Sequence, residues 1–473
     1  MSWPFASARG AGARAIDPEG QRLLGLTLER GEPIWALKGH SLLLSANGGG
    51  KTTRGLMLWL FSLIASTSRP AILVLDSKDG EIAAQCAPML HEMGVPLALI
   101  DDMGVLAPEI PGRVALNPMG AAAATHLTRP EDMVFASETV TQTLIAEPER
   151  DERNRYWRSW PRNLIEFAML VLLKRSPDLA TPGGVWALLS SPEKTARFAE
   201  IEAAESTGML RALAENILGM TDHEHWPQHL QAAQDALRVF AQGSRLHLAG
   251  HGATTSHADL IARRAVIFLC GGQAQMGSLG AYYGMHLMAF INAAYGRAGP
   301  LWIGADEFTN APVKKLVEAL TTLRAYGVSV SMIAQSRSEI ERKLGKQETL
   351  TIEENAIIKQ WFGFSSAEEA ERVSKAIGEE HAVATGLGGN SDDLKVQTNL
   401  SLIRQRQITA AELMAMPADE QLLHIKGIGF ARARTLSQQN IAPYCAQIAD
   451  NPLEGGRLTP DPKITLTLPE EAR

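Results

Sequence analysis

The sequence has few of the features that mark secreted or metal-stabilised proteins. Its 473 residues include only three cysteines, Cys86, Cys270 and Cys445, which lie far apart. Cysteines at these spacings cannot form a disulfide framework or a close-set metal site. We therefore expect a reducing, cytoplasmic compartment.

No apolar run is long enough to cross a bilayer. The longest runs, Leu56–Ala65 and Leu164–Leu173, each span about ten residues, and a membrane-spanning helix needs about 20. Met1–Gly20 lacks the sustained apolar core of a signal peptide. The sequence therefore predicts no direct membrane span.

An excess of basic residues is also absent. The 45 Lys and Arg residues are outnumbered by 52 Asp and Glu, which gives a formal net charge of −7. This balance argues against a protein that coats DNA with its whole surface, although it leaves room for a local basic channel. With 45% hydrophobic and 21% charged residues, the composition is that of a soluble globular protein with roughly two to three structural units.

A glycine-rich loop stands between the apolar run Ser41–Leu44 and a helical stretch. A strand followed by such a loop and a helix directs backbone N–H groups and the positive helix end at one point, which suits a phosphate. In this pattern Lys51 reaches the β- and γ-phosphates of ATP and the Thr52 hydroxyl ligates Mg²⁺. The residues predicted to bind nucleotide are Ser45, Ala46, Asn47, Gly48, Gly49, Gly50, Lys51, Thr52 and Thr53.

The loop departs from the pattern at Ser45, which stands where the first glycine is expected. Three consecutive glycines follow, and they allow the backbone more freedom than the motif needs. The alternative interpretation is a glycine-rich turn before an ordinary helix.

Apolar runs of strand length alternate with helical patterns on both sides of a long helical stretch. The other predicted strands are Leu23–Leu28, Ala71–Leu75, Pro96–Ile100, Arg264–Cys270, Leu301–Ala305, Val328–Ala334, Ala356–Phe364 and Gln421–Ile425. This alternation predicts an α/β fold with a mainly parallel, twisted sheet. From about Thr125 to Gly250 the pattern is helical throughout, so an all-α insertion is expected there.

The predicted domain organisation follows from this alternation. Residues 1–124 would form a lead-in and the first part of the nucleotide-binding domain, 125–255 the all-α insertion, and 256–445 the second part. Residues 446–473, rich in proline, glycine and acids, would form a disordered tail. Helix starts are predicted by Ser191 before Pro192 and by capping boxes. The capping boxes are Thr128-x-x-Glu131, Ser365-x-x-Glu368 and Thr409-x-x-Glu412.

Two acids and a glutamine follow predicted strands. Asp306 is the predicted Mg²⁺ ligand, and Glu307 is the predicted catalytic base that orients or deprotonates the attacking water. Alone, an apolar run that ends in Asp-Glu could be only a strand end, but its pairing with Lys51 makes the pattern more specific. Gln335 could contact the γ-phosphate or its water, or it could be a polar turn residue.

Two further patterns are less specific. Arg150–Arg162 interleaves five arginines with three aromatics, a mixture that could bind single-stranded DNA. The alternative is a helix start whose aromatics pack inward and whose arginines are solvated or pair with Asp151 and Glu152. Three histidines, at positions 223, 225 and 229, have no cysteine nearby and no common helical face, which argues against a zinc site.

Several blocks together resemble a known family. They are Ser45–Thr52, Leu73–Glu81, Asn117-Pro118, Asp306–Phe308, Arg324–Gly327 with Gln335-Ser336, the strand at Asn355, and Ile408–Pro417. In this order, over residues 35–445, they resemble the coupling proteins of type IV secretion and conjugation. These proteins are the TraG/TraD-like group of the FtsK–HerA ATPases. The helical stretch falls where that family places its all-α domain.

The resemblance implies a RecA-like P-loop NTPase that hydrolyses ATP with Mg²⁺. It also implies a homo-hexameric ring, or a monomer in isolation, that delivers relaxase-bound single-stranded DNA or protein substrates to the channel proteins of a secretion system. Lys51, Glu307 and Gln335 would act in catalysis. An arginine from the neighbouring subunit would complete the site, and the candidates are Arg324, Arg372, Arg432 and Arg434.

Members of this group commonly begin with transmembrane helices, and this chain shows none. Either it has been cut back to its soluble part, or it is a naturally soluble member that reaches the inner membrane through partners. Two alternative functions remain. One is a substrate-recruiting adaptor whose assembly depends on nucleotide. The other is an FtsK/HerA-like DNA translocase outside conjugation, against which the Ile408–Pro417 block argues.

Overall fold

The computed structural model describes residues 15–36, 38–147, 151–310, 314–388, 397–455 and 458–469. The strands are β1 (Arg22–Thr27), β2 (Pro33–Ala36), β3 (Ser41–Leu44), β4 (Ala71–Asp76), β5 (Leu97–Ile100), β6 (Val266–Cys270), β7 (Leu301–Ala305), β8 (Val328–Ala334), β9 (Ile358–Trp361), β10 (Glu379–Gly388), β11 (Gln397–Arg406), β12 (Glu420–Ile425), β13 (Gly429–Arg434), β14 (Ile441–Ala442) and β15 (Ile464–Thr465).

The α-helices alternate with these strands. They are α1 (Met57–Ile64), α2 (Glu81–Glu92), α3 (Gly120–Thr128), α4 (Met133–Leu144), α5 (Arg155–Arg175), α6 (Pro182–Leu189), α7 (Pro192–Glu205), α8 (Gly208–Met220), α9 (Trp226–Ala236), α10 (His257–Ala262), α11 (Gly280–Tyr295), α12 (Lys314–Leu323), α13 (Arg337–Leu344), α14 (Lys346–Asn355), α15 (Ala367–Ile377) and α16 (Ala410–Met414). A turn of π-helix, Lys51–Leu56, leads directly into α1.

Eleven strands form one sheet in the order β2-β1-β13-β12-β9-β3-β8-β7-β4-β6-β5. The strands from β9 to β5 are parallel to their neighbours, and the other four extend the sheet in antiparallel fashion. The predicted α/β class with a mainly parallel sheet is therefore confirmed. Strands β10 and β11 form a separate two-stranded antiparallel sheet.

Helices cover both faces of the sheet, which explains why its central strands are apolar throughout. Every residue of β3, β4, β6 and β7 is buried, as parallel strands between two helical layers must be. Helix α1 is buried along its whole length. The hydrophobic cluster that contains α1 lies on one face of the sheet, and the hydrophobic cluster that contains α5 and α11 lies on the other face. The two apolar layers hold the ends of the parallel strands in place.

The long helical stretch lies between β5 and β6. Its described residues from 114 to 265 form helices and turns without a strand. The Ser191 cap and the Thr409 capping box form as predicted. The Thr128 box is wrong, because Thr128 ends α3 and its hydroxyl donates to the Ala124 carbonyl. The third box is shifted by one residue, since Ser366 caps α15.

Two terminal segments differ from the predictions. Strand β2 lies in a region where no second strand was expected. Residues 458–469, expected in a disordered tail, pack against the sheet domain through β15, which pairs with β14, and the Thr467 hydroxyl donates to the Ala65 carbonyl at 2.7 Å. The apolar residues Ile464 and Leu466 are buried there, so the polar composition of the tail was a poor guide. Among the described residues, no helix has both the length and the apolar character needed to span a bilayer.

Candidate nucleotide site

The glycine-rich loop joins β3 to the helix that begins at Lys51. Its start is tied to the neighbouring strand, because the Ser45 N–H donates to the Ala334 carbonyl at 3.2 Å. Gly48 and Gly50 have φ values of 75° and 80°, which favour glycine. An added Cβ at position 49 would lie 2.1 Å from Ser45 Oγ. The serine in the place of the first glycine is therefore accommodated because position 49 carries no side chain.

The predicted acids meet the loop at the same edge of the sheet. Strand β7 is separated from β3 only by β8, and the three strands are parallel, so their carboxyl ends lie together. The Thr52 hydroxyl donates to Asp306 Oδ2 at 3.1 Å, across 254 positions of sequence. A hydroxyl and a carboxylate oxygen are ligands that suit Mg²⁺, so these two residues fit the expected metal.

Lys51 is buried, and its ammonium has no hydrogen-bond partner among the described residues. Burial lowers the pKa of Lys51, and the charges of Glu307 and Asp306 oppose that shift. A buried charge without a partner costs several kcal/mol, which an anion in contact with the ammonium would relieve. The arrangement therefore fits a bound phosphate.

Gln335 follows β8 and lies beside a glutamate that the sequence reading did not single out. The Gln335 N–H donates to Glu339 Oε2 at 3.3 Å, and the Thr309 hydroxyl donates to Glu339 Oε1 at 2.8 Å. A sequence signal for Glu339 was present, since Ser336-x-x-Glu339 has the capping spacing and Ser336 does cap α13. Glu339 therefore links the ends of β7 and β8.

A second overlooked residue, Lys78, contacts both of the predicted acids. Its Nζ lies 3.3 Å from Asp306 Oδ2 and 3.1 Å from Glu307 Oε1. Burial alone would lower the pKa of Lys78, but the attraction of the two acids outweighs it and raises the pKa. The side chain therefore stays charged. Its block, Leu73–Glu81, was recognised in the sequence, but no role was assigned to the lysine.

Asp76, the acid that ends β4, has a structural partner instead. Its Oδ2 accepts hydrogen bonds from the N–H groups of Ile82 and Ala83, at 2.9 and 2.7 Å. Burial raises the pKa of this carboxyl. Asp76 therefore holds the first turn of α2.

The structure does not bring Arg324 to this site. Arg324 precedes β8 and Gln335 follows it, and a strand of this length spans roughly 20 Å. Within its own subunit Arg324 therefore lies at the amino end of β8, whereas the candidate site lies at the carboxyl ends of the strands. Arg324 and Arg434 are exposed. The other two candidates form ion pairs, Arg372 with Glu353 and Glu369, and Arg432 with Glu420.

The arginine–aromatic segment, Arg150–Arg162, has some features of a DNA-binding surface and some of an ordinary helix start. Arg158 pairs with Glu147 and Asp151, and Arg162 pairs with Glu147. Tyr156 and Trp157 are 40% and 42% exposed. Both rings also contact two of the three histidines, His225 and His229. Arg150 lies outside the described residues. No group of three or more metal-ligating side chains occurs within the described ranges.

Comparison with known proteins gives the same picture. Residues 300–418 match a family described as the TraM recognition site of TraD and TraG. The fold is similar to that of the bacterial conjugative coupling protein TrwBdeltaN70 in complex with sulphate. The TM-score is 0.59 at 15% identity, over 92% of this chain and 96% of that one.

The chain resembles the conjugative coupling proteins. The resemblance inferred from the sequence blocks is thus confirmed, and the fold is that of a RecA-like P-loop NTPase. The plasmid coupling protein TrwB with ADP and Mg²⁺ gives a TM-score of 0.56 at 15% identity, over 84% of this chain and 85% of that one. VirB4 of Thermoanaerobacter pseudethanolicus gives 0.53 at 13% identity, over 92% of this chain and 100% of that one. No curated protein sequence matches the chain.

Proposed function

We propose that the protein is an ATP-hydrolysing coupling protein of a type IV secretion or conjugation system. The observation that carries the proposal is the contact of Thr52 with Asp306, together with a buried Lys51 ammonium that has no hydrogen-bond partner in the described part of the chain. Three groups that the P-loop mechanism needs are thereby gathered at one edge of the sheet. Coupling proteins of similar fold support the cellular role.

In this mechanism each residue acts on a defined part of ATP. The loop residues 45–53 hold the phosphates, and Lys51 contacts the β- and γ-phosphate oxygens. Thr52 and Asp306 would ligate Mg²⁺, which neutralises charge on those oxygens. Glu307 accepts a proton from the attacking water. The oxygen of that water bonds to the γ-phosphorus, and the bond between the γ-phosphorus and the oxygen bridging the β- and γ-phosphates breaks. Gln335 senses the γ-phosphate or the water.

An arginine from a neighbouring subunit would stabilise charge on the transferring phosphoryl group. We assign this role to Arg324, because it is exposed and lies too far from its own site to act there. A hexameric ring, which the family resemblance implies, would let each subunit donate this arginine to the site of its neighbour. The substrates would be relaxase-bound single-stranded DNA or secreted proteins, with channel proteins as partners.

The similarity of residues 300–418 to a segment that recognises TraM in TraD and TraG supports a partner from a conjugation machinery. The protein would work in the cytoplasm and reach the inner membrane through such partners. The partly exposed rings of Tyr156 and Trp157 would be available to stack on unpaired bases, in support of single-stranded DNA as a substrate.

ATP turnover of the full chain, measured with and without single-stranded DNA, tests the proposal. We expect turnover that DNA stimulates, oligomerisation that nucleotide promotes, and loss of turnover in Lys51→Ala. If the parent protein binds nucleotide and assembles with it but does not hydrolyse it, the substrate-recruiting adaptor becomes the better description. If it binds no nucleotide, the proposal fails.

A further inference from the structure

Lys78 contacts both of the acids that the proposed mechanism uses, but that mechanism gives Lys78 no role. Its ammonium lies 3.3 Å from Asp306, 3.1 Å from Glu307 and 4.0 Å from Glu81. The side chain is only 19% exposed. A lysine largely withdrawn from water among three carboxylates is held there by their charges.

The backbone that carries Lys78 is anchored on its far side. Asp79 has a φ of 52°, a left-handed conformation that is uncommon for a residue with a side chain. The Asp79 N–H donates to the Gly271 carbonyl at 3.0 Å, and Asp79 Oδ1 accepts from the Gln273 N–H at 3.1 Å. The turn is thus tied to the end of β6. Movement of Lys78 is therefore expected in its flexible side chain, whereas the backbone stays in place.

The argument depends on one oxygen atom. Asp306 Oδ2 accepts from the Thr52 hydroxyl and also contacts the Lys78 ammonium. These are the carboxylate and the hydroxyl that we assign to Mg²⁺. An ammonium and a divalent cation on the same oxygen repel each other strongly in a partly buried site. Lys78 and Mg²⁺ therefore compete for Asp306.

We propose that Lys78 is a built-in counter-ion that competes with Mg²⁺ for Asp306 in the nucleotide-free protein and keeps Glu307 in position after the metal binds. This inference rests on the proposed function. Two adjacent carboxylates in a partly buried site need a positive partner, which Lys78 supplies before Mg²⁺ with nucleotide arrives. When Mg²⁺ takes Asp306, the Lys78 ammonium retains Glu307 and has Glu81 within reach. Lys78 is thus a positioning residue.

The proposal is tested by the Mg²⁺ dependence of nucleotide binding. A fluorescent, non-hydrolysable ATP analogue is titrated with Mg²⁺ in the presence of the full chain, for the parent and for Lys78→Met. Removal of the competing ammonium should lower the Mg²⁺ concentration at half-maximal binding by about tenfold, equivalent to about 1.4 kcal/mol. Lys78→Arg, which keeps the charge, should stay near the parent. An unchanged or raised midpoint in Lys78→Met would overturn the proposal.

A matched control and a second measurement separate this role from a general loss of structure. Lys375→Met removes another lysine with a carboxylate neighbour, Glu371, and should leave the Mg²⁺ midpoint unchanged. In EDTA, Lys78→Met should have a lower Tm than the parent, and Mg²⁺ with the analogue should restore it. A Tm that is unchanged in EDTA would contradict the counter-ion role.

If Lys78→Met does not fold, the same titration is made with Glu307→Gln and with the double variant Lys78→Met/Glu307→Gln. These have one acid fewer to neutralise, and the tenfold difference is expected between the two. Equal midpoints would overturn the proposal. If the parent itself binds no analogue at any Mg²⁺ concentration, the proposed function fails, and this inference fails with it.

Discussion

Buried charge is treated differently at the edge of the sheet and in the helical segment between β5 and β6. In the helical segment, the side chain of Glu202 on α7 is fully buried. It accepts hydrogen bonds from Lys174 at 2.8 Å, from Arg175 and from the Ser206 hydroxyl. At the edge of the sheet, Lys51 is also buried but has no hydrogen-bond partner among the described residues.

The difference distinguishes a charge that the fold satisfies from one that we propose a ligand satisfies. Burial alone would raise the pKa of Glu202, but its hydrogen bonds to Lys174, Ser206 and Arg175 hold that pKa below its usual value. Its charge is therefore satisfied within the fold. The Lys51 ammonium has no such hydrogen bonds within the described residues, and the cost of burying it would be relieved by the phosphate that we propose it binds. The following predictions test this contrast, from the largest expected effect to the smallest.

The largest effect is expected for Glu307→Gln at the edge of the sheet. An amide cannot accept the proton of the attacking water, so kcat for ATP hydrolysis should fall by about 10²- to 10⁴-fold. Affinity for nucleotide should be retained, because the loop and Lys51 are intact. Steady-state turnover and equilibrium binding of an ATP analogue check this. Ordinary turnover in the variant would remove Glu307 from the mechanism.

In the helical segment the largest effect should be on stability. Glu202→Ala leaves Lys174 and Arg175 without their buried partner and should lower the free energy of unfolding by about 2 to 3 kcal/mol. This is less than for a fully buried pair, because both cations are partly exposed and regain water. Urea denaturation measures the loss. Glu205→Ala, which removes a surface partner of Arg175, is the control and should change stability little.

His40 is a third buried group, and its two ring nitrogens can make their hydrogen bonds together only when the imidazole is neutral. The Val330 N–H donates to its Nδ1, and its Nε2 lies 3.0 Å from the Leu320 carbonyl. Burial lowers the pKa of His40 to about 4. The Leu320 hydrogen bond opposes this shift, and the charges of Arg22 and Arg324 add to it.

Because this pKa lies below the unfolded value of about 6.5, the unfolded chain binds the proton first as the pH falls. The stabilisation from His40 is therefore complete above pH 6.5 and is lost between pH 6.5 and 4. From pH 7 to pH 5 the parent should lose about 2 kcal/mol more than His40→Gln, which cannot titrate. Denaturant unfolding at the two pH values checks the difference. Equal losses would show that His40 does not contribute.

The smallest effect on stability is expected for Lys51→Met. Since the buried ammonium has no hydrogen-bond partner among the residues that the structure describes, its replacement by an apolar side chain of similar length should leave stability unchanged or raise it by about 1 kcal/mol. Nucleotide binding should nevertheless be lost. Thermal unfolding without nucleotide, beside a binding titration, measures both. A clear loss of stability would mean that Lys51 is structurally satisfied, and the contrast with Glu202 would disappear.

Much of the site could be predicted because its chemistry is written in short segments. A glycine loop before Lys51 and Thr52, and an apolar strand before Asp306 and Glu307, need those residue types at those spacings. The alternation of apolar runs and helical patterns was enough for the α/β class. The tail was mistaken because composition alone missed Ile464 and Leu466, whose burial depends on a surface that distant parts of the chain form.

The amino-acid sequence by itself determined which residues are candidates to bind phosphate and magnesium, because local spacing and side-chain chemistry suffice for that prediction. Only the tertiary structure decided which charges meet. Lys78 and Glu339 reach the site because the strands that precede them lie parallel to β3 and β7 in one sheet. Strand order depends on packing between distant segments, which no local pattern encodes. The same packing placed Arg324 at the amino ends of the parallel strands, away from the candidate site of its own subunit.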